Sequence, residues 1–252
     1  MSPVLLTLAA AFAFPWTHHQ AVRLLPDTLP TERATAAGGD LDGDGQVDLM
    51  FGTDDGLVGR PAGRLEAYHV GPAGLQRWLV IEGAPSLSVA PDTGLADLDC
   101  DGALDVVIPA EEARLPGSRY QGAVLVFYGP FAPGALRTRD ADAALYDTAH
   151  PTFGSSLATG ADLDGDGCDD VVVGGSGALQ YLPIGRLRGL VDVASLAGVR
   201  RVTVPDNAFG QSPVDVVSEL HDLDGDGLDE LLVGAWPATG AYVVAGRPAA
   251  DA

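Results

Sequence analysis

Short apolar runs recur along the chain, and each one directly follows a group of closely spaced acidic residues. The runs are 49–51, 106–108, 171–173 and 231–233, and a Gly or Pro follows every one of them. Polar residues do not alternate with apolar ones inside the runs, so the pattern of a half-exposed strand is missing. The runs therefore predict short strands that are buried on both faces of a sheet.

Further strands are predicted around each run. A glycine-led segment follows at 63–70, 122–128, 177–184 and 240–245, and another glycine ends it. Three of the repeats then continue with an apolar segment, at 78–81, 143–146 and 199–204. With one strand ahead of each acidic group, the pattern predicts units of four strands that run up and down. The acidic group then joins the first strand of a unit to the second.

The acidic groups are regularly spaced, with first aspartates at 40, 97, 162 and 222, which lie 57, 65 and 60 residues apart. Repeats of this length are typical of radially arranged sheets. We therefore predict an all-β fold, a β-propeller of four four-stranded blades in a single domain over residues 14–252. The fourth unit ends one strand short, and residues 20–25 have the pattern of residues 201–204. An N-terminal strand is thus predicted to complete the last blade and close the ring, leaving no open edge.

The acidic groups themselves predict calcium loops at 40–48, 97–105, 162–170 and 222–230. Each has carboxylates at its first, third, fifth and ninth places and a glycine at the sixth, where the chain must turn sharply. Calcium accepts such oxygen ligands in a flexible geometry, whereas magnesium demands a stricter octahedron, so up to four Ca²⁺ ions are predicted. The predicted carboxylate ligands are Asp40, Asp42, Asp44, Asp48, Asp97, Asp99, Asp101, Asp105, Asp162, Asp164, Asp166, Asp170, Asp222, Asp224, Asp226 and Glu230. The backbone carbonyls predicted to join them are those of Gln46, Ala103, Cys168 and Leu228.

The EF-hand is the first alternative for such a loop, and the sequence excludes it. An EF-hand loop ends in a bidentate Glu at its twelfth place and continues into an amphipathic helix. The twelfth places here are Phe51, Ile108, Val173 and Val233, each inside a predicted strand. We expect the ions to fix the turns and not to do chemistry, because a catalytic ion needs an open coordination position.

The overall charge narrows the choice of partners. The formal net charge is −21, and four bound Ca²⁺ ions would still leave about −13. All fourteen basic residues are Arg, and none of them forms a polybasic cluster. Nucleic acid is therefore excluded as a partner, and no segment is long and apolar enough to predict a membrane span.

Residues 1–13 end in Ala11-Phe12-Ala13 and predict a signal peptide, with an ordinary buried strand as the alternative. The expected location is secreted, periplasmic or at the cell surface.

The cysteines and histidines are less informative. Cys100 and Cys168 lie inside the second and third loops, and a disulfide between them would need Cα atoms within about 7 Å. Two unpaired thiols are the favoured expectation, with the disulfide as the alternative. Asp169 and Asp229, at the eighth places, are expected to point to solvent and not to the ion. The histidines form no triad or metal motif and are expected to be structural or at the surface; they are His18, His19, His69, His150 and His221.

The repeats resemble FG-GAP repeats, the units of the integrin alpha-chain propeller and of many bacterial exported proteins. Phe153-Gly154 and Phe209-Gly210 supply the Phe-Gly of the name, and Gly174-Gly175 and Gly234-Ala235 approach its Gly-Ala-Pro. The first two repeats lack an evident Phe-Gly. The family's well-known propellers have seven blades, whereas this chain encodes four. A compact four-bladed ring, a partial ring that pairs with another chain as a homo-oligomer, and a truncated sequence all remain open.

The resemblance implies a non-enzymatic, integrin alpha-like adhesion module that binds a protein or glycan. We expect the ligand on the face opposite the calcium loops, and solvated loops with no ligand are the alternative. The residues predicted for this surface are Asp54, Asp55, Arg60, Glu111, Glu112, Arg114, Arg119, Tyr120, His150, Asn207 and Trp236. The alternative function is an extracellular polysaccharide-acting enzyme, or its accessory domain, on a propeller scaffold. A purely structural surface repeat is the third hypothesis.

Overall fold

The computed structural model describes residues 33–54, 63–71, 74–83, 93–110, 113, 122–150, 152–175, 178–203, 216–234 and 241–246. Seventeen strands lie in these ranges. They are β1 (Arg33–Gly39), β2 (Asp48–Asp54), β3 (Arg64–Gly71), β4 (Gly74–Glu82), β5 (Gly94–Ala96), β6 (Asp105–Ala110), β7 (Ala123–Phe127), β8 (Gly134–Arg137), β9 (Ala143–Tyr146), β10 (Ser156–Ala161), β11 (Asp170–Gly175), β12 (Ala178–Leu182), β13 (Gly189–Asp192), β14 (Arg200–Thr203), β15 (Val216–Leu220), β16 (Glu230–Gly234) and β17 (Ala241–Ala245). The helices in the same ranges are two three-residue 3-10 turns, Thr138–Asp140 and Val193–Ser195, and neither could span a membrane.

The strands form four sheets, numbered here in chain order. The first has the order β1-β2-β3-β4-β8, the second β5-β6-β7-β9-β13, the third β10-β11-β12-β14 and the fourth β15-β16-β17. Consecutive strands within a repeat pair antiparallel, as when Met50 of β2 lies opposite both Ala37 and Ala67. Every acidic loop joins the first strand of a sheet to the second. The prediction of an all-β chain with these repeating sheets is confirmed.

The burial of the apolar runs depends on the position of the sheet. Every residue of β6 and β11 is buried, as predicted, because these strands lie in the second and third sheets and have a neighbouring sheet on each side. Leu49 and Phe51 of β2 are only half-buried, and Leu232 of β16 is exposed. The prediction of burial on both faces is therefore wrong for β2 and β16, which lie in the first and last sheets.

Two strands leave their own repeat and join the preceding sheet. The segment between β7 and β9 contributes β8, which runs parallel to β4 with Val80 opposite Ala135. The segment between β12 and β14 contributes β13, which runs parallel to β9 with Leu145 opposite Val191. We call residues 129–142 and 183–199 the crossover arms. Neither parallel strand was predicted from the sequence, since each has only four residues and its partner lies in another repeat.

The sheets pack face to face in chain order. Met50, Ala67 and Ile81 of the first sheet share a core with Ile108 and Phe127 of the second. The other face of the second sheet packs on the third through a core that includes Val107, Val126, Val171 and Val173, and the third packs on the fourth in the same way.

The first strands of the sheets make the contacts β1 to β5, β5 to β10 and β10 to β15. The four sheets thus follow one another as an arc, and within the described ranges none of them closes on itself. The predicted signal peptide and the predicted closing strand at 20–25 lie outside the described residues.

A disulfide joins Cys100 to Cys168, with Cα atoms 5.2 Å apart. The expectation of two unpaired thiols is therefore wrong. The reason is the packing of the second sheet on the third, which sets their two acidic loops side by side. Asp169 donates its backbone N–H to the carbonyl of Asp97 at 3.1 Å, and this bond already connects the two loops.

Candidate metal centres

The four acidic loops fold into the same turn. In each, the carboxylate at the first place accepts a hydrogen bond from the backbone N–H of the glycine at the sixth place; the bonds are Asp40 to Gly45 at 2.8 Å, Asp97 to Gly102 at 3.0 Å, Asp162 to Gly167 at 3.0 Å and Asp222 to Gly227 at 3.1 Å. The glycine at the sixth place has φ between 84° and 91° in every loop, a conformation that an L side chain rarely adopts. The nine-residue acidic motif therefore specifies this turn through contacts within the loop itself.

The fifth and ninth carboxylates complete the turn. The fifth accepts from the backbone N–H of the seventh residue, as Asp166 does from Cys168 at 2.8 Å. The ninth is buried and accepts from the backbone N–H of the leucine at the second place, as Asp170 does from Leu163 at 2.8 Å. Equivalent bonds occur in the other loops and use Asp48, Asp105 and Glu230. Ligation by the carbonyls at the seventh place stays a prediction.

Carboxylate oxygens converge in every loop. Groups whose ligand atoms all lie within 4.8 Å of one another are Asp40, Asp42 and Asp48; Asp97, Asp99 and Asp101; Asp162, Asp164 and Asp166; and Asp222, Asp224 and Glu230. The geometry thus brings together three of the four predicted carboxylates of each loop. Such a set of hard oxygen ligands suits Ca²⁺, and the like charges repel one another when no cation balances them.

Burial destabilises the ionised form of the ninth-place carboxylates in the second and third loops, Asp105 and Asp170. Burial raises the pKa of Asp105 to about 6, with a further contribution from the charges of Asp99 and Asp101. Burial raises the pKa of Asp170 to about 7, where Asp164 and Asp166 add to the effect. A bound cation would favour the ionised form of each group and so offset this cost.

A histidine borders the first loop. His69 of β3 lies opposite Asp48, and its Nδ1 is 2.9 Å from the Asp48 carboxylate. Its ring stacks on Trp78 with 5.0 Å between centroids, which holds the imidazole in place. The other nitrogen, Nε2, lies 3.8 Å from Asp42. His69 was expected to be structural or at the surface and to belong to no metal motif. However, it forms a further converged group with Asp42 and Asp44, whose ligand atoms lie within 4.8 Å of one another, because strand register places it beside the predicted ligands.

An arginine of the third repeat contacts the second loop. Arg186 lies on the second crossover arm, and its guanidinium is 3.0 Å from Asp99 and 3.4 Å from Asp101. Asp99 makes this ion pair without hydrogen-bond geometry, and its buried oxygens have no hydrogen-bond partner. The arm is anchored by Tyr128, whose hydroxyl donates to the carbonyl of Gly185 and accepts from the N–H of Leu187. A side chain from a different repeat thus competes for two predicted ligands.

The eighth places connect successive loops. Asp169 accepts from the backbone N–H of Asp97 at 2.7 Å, and Asp229 accepts from that of Asp162 at 3.1 Å. Both are half-buried, so the expectation that they point to solvent is wrong. Each instead fastens its own loop to the first residue of the preceding loop. In the second loop this place is Leu104, which packs on the core shared by the first and second sheets.

A separate polar cluster lies at the end of the sheets opposite the acidic loops. Asp147 is buried after β9 and accepts from Gln180 at 2.6 Å and from Arg201 at 3.2 Å. His150 places its Nδ1 2.7 Å from the same carboxylate. The cluster therefore ties the second sheet to the third. His150 is the one predicted binding-surface residue whose side chain the structure describes. Asp54 is the last residue of β2, and the other nine lie outside the described residues.

The described residues thus define an all-β repeat protein with the same turn geometry in four acidic loops that could each hold a metal ion. Residues 153–182, which contain the third loop with β11 and β12, match the FG-GAP repeat. The chain is similar to integrin alpha-PS5 of Drosophila melanogaster, at 33% identity over 160 residues, and to integrin alpha-IIb of Homo sapiens, at 33% identity over 165 residues. These matches cover 60% and 56% of this chain, and 15% and 14% of those proteins.

A longer match extends the similarity over most of the chain. Integrin alpha pat-2 of Caenorhabditis briggsae is 27% identical over 235 residues, which is 85% of this chain and 18% of that protein. The chain thus spans less than a fifth of the length of these curated relatives. The repeat match and the integrin alpha relatives support an FG-GAP repeat β-propeller family for this chain, in agreement with the resemblance of its motifs.

Proposed function

We propose that the chain is a calcium-stabilised propeller module that binds a protein or glycan ligand and catalyses no reaction. The observation that carries the proposal is the convergence of three carboxylates in each of four loops with one shared turn. The four sheets correspond to four blades, and the integrin alpha relatives support a binding module. The ligand face is the one opposite the loops, where the Asp147 cluster lies.

Calcium contributes stability because each loop joins two neighbouring strands. An ion that binds only the folded chain stabilises it by about 2.7 kcal/mol when its free concentration is about 100 times the dissociation constant. The same ion neutralises carboxylates that otherwise repel one another. Occupied loops would therefore make a contribution comparable with the total stability of a typical domain, about 5 to 15 kcal/mol.

The disulfide supports a location outside the cytoplasm. Disulfides persist in oxidising compartments and are rare where thiols are kept reduced. A Cys100–Cys168 bond across two loops is therefore consistent with a secreted, periplasmic or cell-surface protein, as the predicted signal peptide at residues 1–13 also implies.

Calorimetric titration of the metal-free protein with calcium tests the metal sites. We expect up to four bound ions, and Asp166→Ala is expected to remove one of them, since Asp166 belongs to the converged group of the third loop. Glu82→Ala is the matched control, because it removes an equal charge from an exposed side chain outside the loops. Absence of calcium binding, or equal binding by Asp166→Ala and the parent, would contradict the assignment.

Binding assays test the proposed ligand class. The calcium-loaded protein is applied to a glycan array and to immobilised extracellular proteins, with a parallel sample in excess chelator. A calcium-dependent partner supports the binding module. Turnover of polysaccharides by the same sample, abolished in chelator and without stable binding, would contradict a non-enzymatic role.

A further inference from the structure

The large hydrophobic side chains exposed on the described part of the chain are concentrated at the two ends of the arc. They are Val47, Leu190, Leu223, Leu232 and Val243. Leu232 and Val243 belong to the fourth sheet, Leu223 belongs to its acidic loop, and Val47 precedes the first sheet's β2. Leu190 is the exception, on the crossover strand β13.

The fourth sheet exposes the face that the other sheets bury. Leu223 is 65% exposed, whereas the leucines at the same place in the other loops, Leu41, Leu98 and Leu163, are 5% exposed or less. Leu232 lies opposite Val243 in the register in which Val172 lies opposite Tyr181 in the third sheet. Val172 and Tyr181 are buried because the fourth sheet packs on them through Leu231 and Val233. We call Leu223, Leu232 and Val243 the trailing face.

The first sheet exposes the complementary face. Leu49 lies opposite Tyr68, in the register in which Val106 lies opposite Phe127 in the second sheet. Val106 and Phe127 are buried against the first sheet, whereas Leu49 and Tyr68 are half-buried. Val47 holds the eighth place, which in every other loop contacts the preceding loop or sheet. We call Val47, Leu49, Phe51 and Tyr68 the leading face.

Three internal interfaces show what covers each of these faces. A trailing face packs on the leading face of the next sheet between the first and second sheets, the second and third, and the third and fourth. The two end faces thus have the strand register and apolar character of the two halves of these internal interfaces.

We propose that the trailing face of one copy packs on the leading face of a second copy, so that two copies close into a ring of eight sheets. A two-fold axis through the ring would make both junctions identical and leave no end face exposed. Rings of this size lie within the range known for propellers, which is about four to eight blades. The inference rests on the proposed propeller architecture and does not depend on the ligand.

Light scattering of the calcium-loaded protein during size exclusion tests the proposal. We expect twice the chain mass of 25.8 kDa for the parent over a wide range of concentration. Val243→Asp places a charge in the junction and is expected to give the single-chain mass. Leu190→Asp is the matched control, since it changes an equally apolar exposed residue away from both end faces and is expected to keep the doubled mass. A parent of single-chain mass, or a doubled mass for Val243→Asp, overturns the two-copy ring.

A cross-link keeps the proposal testable if Val243→Asp fails to fold. At two of the internal interfaces the eighth residue bonds to the first residue of the preceding loop, as Asp169 does to Asp97 and Asp229 to Asp162. Val47 of one copy should therefore lie beside the fourth loop of the other. The double variant Val47→Cys, Leu223→Cys is expected to run at twice the chain mass on a non-reducing gel. A cross-link within one chain, or none, overturns the proposal. Calcium titration of the same samples reports the metal sites separately, so a failure of the ring and a failure of calcium binding are distinguishable.

Discussion

The second and fourth acidic loops have nearly the same sequence pattern but opposite surroundings. In the second loop Leu98 is buried, the side chain of Asp99 is 6% exposed and paired with Arg186, and Cys100 is tied to the third loop. In the fourth loop residues 221–227 are all exposed. Yet both loops close with the same bond from the sixth glycine to the first aspartate. The motif thus determines the turn, and the neighbouring sheet determines how strongly the loop is held.

The largest expected effect follows removal of the disulfide, which holds the second loop but not the fourth. The bond closes a segment of 68 residues, and the loss of such a constraint costs about 4 kcal/mol. Cys100→Ser with Cys168→Ser should therefore lower the free energy of unfolding by that amount, measured by denaturant titration in calcium. Calcium binding should weaken in the second and third loops and stay unchanged in the fourth. An unchanged unfolding midpoint would show that packing alone holds the two loops together.

The pH dependence of the metal-free protein is expected to follow Asp105 and Asp170. Their pKa values are raised to about 6 and about 7, above the value of about 3.9 for an unfolded aspartate. The folded chain then binds more protons than the unfolded chain between about pH 4 and 7, so its stability falls by a few kcal/mol as the pH rises through that window. With calcium the trend should reverse, since the bound ion requires ionised carboxylates.

Thermal melts in chelator and in calcium, from pH 4.5 upwards in steps to about pH 7.5, measure both trends. Asp170→Asn is expected to flatten the metal-free slope, whereas the exposed control Glu82→Gln should leave it intact. Metal-free stability that rises with pH would show that burial does not control these carboxylates.

Loss of an eighth-place carboxylate is expected to have a smaller effect. Asp229 accepts hydrogen bonds from the backbone of both Asp162 and Asp222, at 3.1 and 3.0 Å. Asp229→Ala should therefore cost about 1 to 3 kcal/mol in the free energy of unfolding. Asp169→Ala should cost less than Asp229→Ala, because it loses one such bond and the disulfide still joins the second and third loops. Chemical denaturation of both variants in calcium compares them, and the reverse order would contradict a role of Asp229 between the loops.

The smallest predicted effect concerns Arg186. Its guanidinium pairs with Asp99 and Asp101 and so competes with a cation for the second loop. Arg186→Ala should raise the calcium affinity of that loop a few-fold and leave the fourth loop unchanged, measured by calorimetric titration. Arg188→Ala is the control, because this arginine lies on the same crossover arm but pairs with Asp142, outside the loop. A weaker second site in Arg186→Ala would mean that the arginine supports the metal site.

The sequence predicted those features that a short segment specifies by itself. The apolar runs in β2, β6, β11 and β16, the turn at the sixth glycine and the place of each loop between two strands all follow from local patterns. The features that it did not predict depend on distant partners. Arg186 and Asp101 are 85 residues apart, and Asp169 and Asp97 are 72 apart.

The crossover strands show the same limit. β8 and β13 have four residues each, and nothing in their composition indicates that they pair with the sheet of the preceding repeat. The disulfide also depends on this packing of sheet on sheet. Half-burial of Leu49 and exposure of Leu232 went unpredicted because a strand pattern does not reveal whether its sheet lies at the end of the arc.

Differential scanning calorimetry at neutral pH, with calcium and with excess chelator, tests the central claim most directly. If the four loops are structural calcium sites, each bound ion contributes about 2.7 kcal/mol at calcium concentrations about 100 times the dissociation constant. Removing the ions should then lower the melting temperature by roughly 20 °C or more, or unfold the protein. Superimposable melts in calcium and in chelator would contradict the account, because the loops would then be acidic turns that hold their shape without an ion.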